Sequence, residues 1–103
     1  AATPLTLDNQ PPSIELLSPQ PGLRIRLASQ ASLLLQAEAG DAVKLEQVEF
    51  LVNGRPVATM ANAPFLFSWV LPNRTGAFEI RGRATDAAGN QAESELVTIE
   101  IIP

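Results

Sequence analysis

Three stretches of this sequence decide its fold: VEFLVNG (48–54), APFLFSWV (63–70) and AFEIRGRATDAAGN (77–90). In each of them, apolar or small side chains occupy every second position before a turn sequence begins. Val48, Phe50 and Val52, for example, share one face of the first stretch. Alternation with a period of two is typical of β-strands that are buried on one side. The apolar side chains of these stretches are therefore predicted to form a packed core.

Turn sequences divide the rest of the chain into short strands at intervals of about ten residues, the spacing of a β-sandwich or barrel. The strongest of these signals is Asn53-Gly54, which suits a two-residue type I′ hairpin. Residues 23–27 alternate leucine or isoleucine with arginine, a pattern that suits an edge strand. The predicted fold is all-β, with about seven short antiparallel strands arranged in a sandwich or barrel. Residues 1–10 are predicted to be a linker or flexible tail, and residues 11–103 the domain.

The alternation also predicts which side chains point inward. Trp69 is expected to pack opposite Gly82, because a small residue on a facing strand makes room for an indole. The predicted inward set is Ile14, Leu35, Val48, Phe50, Val52, Phe65, Phe67, Trp69, Phe78, Ile80, Val97 and Ile99.

Composition limits the class of protein. A chain of 103 residues with 46% hydrophobic and 17% charged residues is expected to form one domain with one core. Its net charge of -4 argues against a nucleic-acid partner, since affinity for phosphates depends on clustered Lys and Arg. No apolar run of about 18 residues is present, so no transmembrane segment is predicted.

The residue types needed for most catalysis are missing. The chain contains no Cys, no His and no Tyr, which removes most of the usual nucleophiles, general bases and transition-metal ligands. No catalytic residue and no cofactor is therefore predicted, and the domain itself is not expected to be an enzyme, whatever the activity of its parent protein.

Several pieces of the sequence together resemble a known family, the bacterial immunoglobulin-like modules of secreted glycosidases, adhesins and other envelope proteins. The pieces, in chain order, are PSIEL (12–16) with Ser18-Pro19 and Gly22, VEF and VNG (48–54), APF (63–65) with Phe67 and Trp69, Gly76 and Phe78, and ATDAAGN (84–90).

The resemblance implies both a fold, an all-β immunoglobulin-like antiparallel β-sandwich of about seven strands, and a role. It implies a non-catalytic module of an exported bacterial multidomain protein that acts as a spacer, stabiliser or assembly domain, with neighbouring domains of the same polypeptide as partners. It also implies an extracellular, cell-surface or periplasmic location. The alternative is a glycan-binding or adhesin module that contacts cell-wall or other glycans.

Two groups of side chains allow either a functional or a structural interpretation. Phe65, Phe67 and Trp69 could stack on sugar rings, but they share a face and are expected to be core. The strand residues Glu79, Arg81, Arg83 and Thr85 could form a polar binding face, although cross-strand ion pairs are the favoured explanation.

One turn offers weak candidates for a metal site. Asp86 and Asn90, together with Asp41, carry the oxygen ligands that calcium prefers. A turn in which Asp86 accepts backbone N–H bonds and Gly89 or Asn90 is left-handed accounts for the same residues. No metal site is predicted on this basis.

Four leucines lie at the parity opposite to the core, namely Leu17, Leu34, Leu51 and Leu66. An immunoglobulin-like fold places the strands that carry Leu17, Leu34 and Leu66 in the same sheet. If their side chains are contiguous, these three leucines are predicted to form an interaction patch on the outer face of that sheet, which docks a neighbouring domain or a second copy of the chain. The alternative is that they are separate exposed leucines, which are ordinary on folded proteins.

Overall fold

The computed structural model describes residues 11–40 and 44–103, and this part of the chain consists of β-strands joined by turns and loops. The strands are β1 (Ser13–Ser18), β2 (Arg24–Arg26), β3 (Ser32–Gly40), β4 (Leu45–Val52), β5 (Arg55–Met60), β6 (Phe65–Val70), β7 (Gly76–Asp86), β8 (Gln91–Glu93) and β9 (Val97–Ile102). No helix in the described ranges is long and apolar enough to cross a membrane. The predicted linker, residues 1–10, lies outside the described residues.

Two sheets form the sandwich. One has three strands in the order β1-β3-β6, and the other has the order β2-β9-β7-β4-β5 with β8 also paired to β7. The all-β, immunoglobulin-like sandwich predicted from the sequence is confirmed.

The pairing of one strand and the bounds of another differ from the prediction. β2 is at the edge, as expected, but it pairs with β9 in parallel, after the chain has crossed from the smaller sheet to the larger one between β1 and β2. The sequence predicts one strand from Glu93 to Ile102, whereas the structure has β8 ending at Glu93 and β9 beginning at Val97. The division falls at Ser94, whose backbone N–H donates to the Gly82 carbonyl (2.8 Å) while its Oγ accepts from the Gly82 N–H (2.8 Å).

The hairpin between β4 and β5 forms at the predicted residues. Asn53 and Gly54 have φ angles of 52° and 82°, the positive values that a type I′ turn requires. Asn53 also joins the hairpin to β7, because its Oδ1 accepts from the Glu79 N–H at 2.9 Å.

The core lies between the two sheets and contains the predicted inward residues. Ten of the predicted twelve are buried, and Ile14 and Phe67 are half-buried against the same cluster. Burial of this apolar area is the main stabilising term of the fold.

The predicted contact between Trp69 and Gly82 is wrong. Ile14 covers Gly82 instead, since a Cβ at that position would lie 2.9 Å from Ile14 Cδ1. Trp69 packs edge-on against Phe78, with ring centroids 5.8 Å apart. Phe78 precedes Gly82 by four residues, about 13 Å along an extended strand, so the indole lies nearer the other end of β7.

Candidate functional site

The turn after β7 uses the Asp86 carboxylate to organise its own backbone. Asp86 is 1% exposed. Its Oδ1 accepts from the backbone N–H groups of Ala88 (3.0 Å) and Asn90 (2.8 Å), and its Oδ2 accepts from Asn90 Nδ2 (3.1 Å). Gly89 follows at φ 92°, a left-handed conformation. The carboxylate is therefore the acceptor that holds this turn closed.

The same residues were the weak candidates for calcium. Within the described ranges, no group of three or more His, Cys, Asp or Glu side chains is placed to hold a metal ion. Asp41, the third candidate ligand, lies outside the described residues. Asp86 and Asn90 are engaged with each other and with the turn.

The outer face of the larger sheet is covered by ion pairs. Arg83 donates through both Nε and Nη2 to Oε1 of Glu49 at 2.8 Å, and these two residues are direct cross-strand neighbours. Arg81 donates to Glu93 of β8 at 3.0 Å. The predicted polar face is thus occupied largely by its own cross-strand partners.

Leu51 lies on this ion-paired face and is nevertheless only 5% exposed. It is buried outside the core cluster and lines a shallow depression with Arg81, Glu93 and Leu96. The strand β8 and the residues after it therefore approach a leucine that strand parity alone places on the surface.

The aromatic side chains do not form a surface platform. The described residues include all five aromatics of the chain; Phe50, Phe65, Trp69 and Phe78 are buried, and Phe67 is half-buried against the core. The Arg74 guanidinium lies 5.2 Å from the centroid of the Phe78 ring and covers that end of the core.

The outer face of the smaller sheet carries exposed apolar side chains. Leu34 and Leu66 are 46% and 40% exposed, and Leu17 is half-buried. The three strands that carry these residues belong to one sheet, as predicted.

The strand register decides how these leucines meet. Leu34 lies opposite Ser68 and Leu66 lies opposite Gln36, so the two leucines are diagonal neighbours within reach of long side chains. Leu17 sits where the register between β1 and β3 shifts. Gln36, which also lies on this outer face, stands between Leu17 and Leu66.

Sequence reasoning missed one member of this face. Val70 is 73% exposed and points to the same side as Leu66 and Ser68, because the three alternate along β6. Val70 is diagonal to Leu34 on the side away from Leu66. The same period-two rule would have found it. We call Leu34, Leu66 and Val70, with the half-buried Leu17, the outer apolar face.

Known structures share this architecture. The structure is similar to the fibronectin(III)-like modules of Clostridium thermocellum CbhA, with a TM-score of 0.78 at 18% sequence identity, covering 87% of this chain and 96% of that module chain. This likeness supports the fold alone. The sequence matches none of the curated proteins with which it was compared.

The sequence of this domain also fits a family model. The model of the family described as Bacterial Ig domain matches residues 12–80, a span that includes β1 to β6 and the first half of β7. Since the match covers more than half of the chain, the chain belongs to the Bacterial Ig domain family.

Proposed function

We propose that this domain is a non-catalytic module of an exported bacterial multidomain protein, and that it spaces, stabilises or assembles the neighbouring domains. The observation that carries the proposal is the outer apolar face, on which Leu34, Leu66 and Val70 expose apolar area without any charged side chain between them. Exposed apolar side chains that are diagonal neighbours on one sheet face, as Leu34 is to Leu66 and Val70, are typical of contact sites between proteins. Its occupant in this proposal is a neighbouring domain.

The other surfaces of the domain support a structural role. The polar face of the larger sheet is engaged in its own ion pairs, and the Asp86 carboxylate organises a turn. The missing Cys, His and Tyr side chains leave few groups that could act as a nucleophile or general base.

Family membership also bears on the location of the protein and on the alternative role. An extracellular, cell-surface or periplasmic setting is part of the proposal and is supported by membership of the Bacterial Ig domain family. A glycan-binding or adhesin role would favour an aromatic side chain exposed on a strand or loop. The five aromatics are instead buried or half-buried in the core, so the structural role is preferred.

The test uses the full gene product that contains this sequence. Small-angle X-ray scattering is recorded for the natural protein, for the Leu34→Ser/Leu66→Ser variant and for a Thr98→Ser control on an exposed position of β9. We expect the double variant to gain interdomain flexibility and a larger maximum dimension, and the control to match the natural protein. Identical scattering from all three proteins, or a gene product made of this domain alone, would contradict the proposal.

A second measurement tests the absence of catalysis and the alternative role. The isolated domain is assayed for hydrolysis of, and for binding to, peptidoglycan, chitin and a glycan array. We expect neither turnover nor saturable binding. Saturable binding that is lost on substitution of an aromatic residue would favour the glycan-binding alternative.

A further inference from the structure

The two sheets end in four edge strands, and these differ in how well they are protected. β1 and β6 are the edges of the smaller sheet, and β2 and β5 are the edges of the larger one. An edge strand presents unpaired N–H and C=O groups that can pair with another chain. Folded proteins discourage this pairing with charged residues, prolines, bulges or very short strands.

Three of the edges carry such features. β1 contains Glu15 and the register shift at Leu17. β2 has three residues, two of which are arginines. β5 contains Arg55 and Pro56 and lies beside a register shift with β4.

β6 carries none of them. Its six residues, FLFSWV, include no charge and no proline, and its register with β3 is regular from one end to the other. Of the described strands, β3 alone pairs with it. β6 is therefore the least protected edge in the described part of the molecule.

The hydrogen-bond pattern shows which groups of β6 face outward. Leu71 and Ala31 are opposite each other, one residue beyond Val70 and Ser32 along the ladder. The Leu71 N–H donates to the Ala31 carbonyl at 2.9 Å, so Leu71 and Ala31 are a hydrogen-bonded pair. Hydrogen-bonded and non-hydrogen-bonded pairs alternate along an antiparallel ladder. The N–H and C=O groups of Leu66, Ser68 and Val70 therefore point away from β3, and of these the Leu66 N–H donates to the Pro64 carbonyl at 3.2 Å.

We propose that the open edge of β6 pairs antiparallel with β6 of a second copy of this chain, about a two-fold axis that passes beside Ser68. The N–H groups of Ser68 and Val70 then donate to the carbonyls of Ser68 and Leu66 in the other copy, which gives about four backbone hydrogen bonds. The two three-stranded sheets become one continuous sheet.

The second copy fits this edge because the strand is complementary to itself. In the two-fold register, Leu66 faces Val70 of the other copy and Ser68 faces Ser68. Apolar side chains thus meet each other, and two hydroxyl groups meet at the axis, both of which are favourable cross-strand pairs. No like charges are opposed along the strand, although each copy carries a net charge of -4.

The first test measures association of the isolated domain. Such an interface is small and of the weak, transient class, so sedimentation velocity is recorded from about 10 µM to about 1 mM. We expect the weight-average sedimentation coefficient to rise with concentration for the natural chain and for Thr98→Lys. It stays at the monomer value for Ser68→Lys, which places two lysines beside the axis.

The design separates loss of pairing from loss of folding. Ser68 and Thr98 are both exposed on strands, so thermal melting should show both lysine variants folded. A natural chain that remains monomeric over this concentration range would overturn the proposal, as would an association that Ser68→Lys leaves unchanged.

The second test locates the axis. The chain has no Cys, so Ser68→Cys introduces a single thiol. In the proposed register the two Cα atoms lie about 5.5 Å apart, within the range of a disulfide. Oxidation should convert Ser68→Cys to a covalent dimer much faster than Thr98→Cys, and equal rates for the two variants would overturn the proposed register.

This inference shares Leu66 and Val70 with the outer apolar face, but Leu34 separates it from the proposed linking role. Leu34 lies on β3, one strand away from the open edge, so Leu34→Ser should leave the pairing of the isolated domain intact. Failure of the edge pairing would leave the docking of a neighbouring domain in place, and the reverse also holds.

Discussion

The outer faces of the two sheets differ in what covers them. On the larger sheet, Arg83 is paired with Glu49 and Arg81 with Glu93, and Leu51 beneath them is 5% exposed. On the smaller sheet, Leu34 keeps 46% of its surface exposed. The two leucines have the same strand parity, so the alternation of side chains does not distinguish them.

The difference teaches that burial on an outer face depends on the connections that cross it. β8 turns back along β7 after the Asp86 turn and brings Glu93 and Leu96 to the depression lined by Leu51. No described segment does this for the three-stranded sheet. On the larger sheet the chain thus covers Leu51, although Leu96 beside it stays 44% exposed. On the smaller sheet no described segment covers Leu34, Leu66 and Val70, and another domain can cover them.

The largest effect on stability is expected at β6, where a buried and an exposed side chain are neighbours. Trp69→Ala removes a buried indole that packs against Phe78, and we expect a loss of about 3–5 kcal/mol in the free energy of unfolding. Its neighbour Val70 is 73% exposed, so Val70→Ala should change stability by no more than about 0.5 kcal/mol. Denaturant unfolding measures both, and equal losses would contradict the assignment of the two faces.

The next effect compares the two leucines directly. We expect Leu51→Ala to cost about 2–3 kcal/mol, toward the lower end for a buried leucine because its site is shallow. Leu34→Ala should change the free energy of unfolding by no more than about 0.5 kcal/mol. If both variants lose the same stability, the two outer faces do not differ as described.

A smaller effect on stability is expected at the Asp86 turn, which precedes β8 and the residues that cover Leu51. Asp86→Ala removes the acceptor of two backbone N–H groups and of Asn90 Nδ2, at a cost of about 1–3 kcal/mol. Amide exchange of β8 should quicken in this variant more than that of β6.

The natural chain should melt at the same temperature with about 10 mM calcium as without it, since even weak extracellular calcium sites, with dissociation constants of about 0.1–1 mM, would be filled at about 10 mM. A calcium-dependent rise would identify a metal site at this turn.

Much of the fold could be predicted because period-two alternation and turn chemistry are local. The positions of Val48, Phe50 and Ile80 in the core follow from parity, and the Asn53-Gly54 turn follows from its need for positive φ angles. The contacts between the two sheets could not be predicted in this way, because they join residues that are distant in the sequence. Which residue faces Gly82 depends on how the two sheets are placed, and parity cannot tell Ile14 from Trp69.

The candidate site was predicted in outline for the same reason. Parity placed Leu34 and Leu66 on an outer face, and the family fold placed them in one sheet. The register that sets Gln36 beside Leu66 and shifts at Leu17 depends on pairing between distant strands. The burial of Leu51 depends on the division of the last strand at Ser94, which alternation alone did not indicate.

The smallest effect on stability carries the most information about the outer apolar face. Leu34→Ser and Leu66→Ser replace side chains that are 46% and 40% exposed, so each should change the free energy of unfolding of the isolated domain by no more than about 0.5 kcal/mol. In the full gene product, a docked neighbouring domain stabilises this one, and the same substitutions remove that contact. We therefore expect them to lower the melting temperature of this domain in the full gene product while leaving the isolated domain unchanged. Equal melting temperatures of natural and substituted domains in both settings would show that no neighbour rests on these leucines, and a loss confined to the isolated domain would place them in the fold instead.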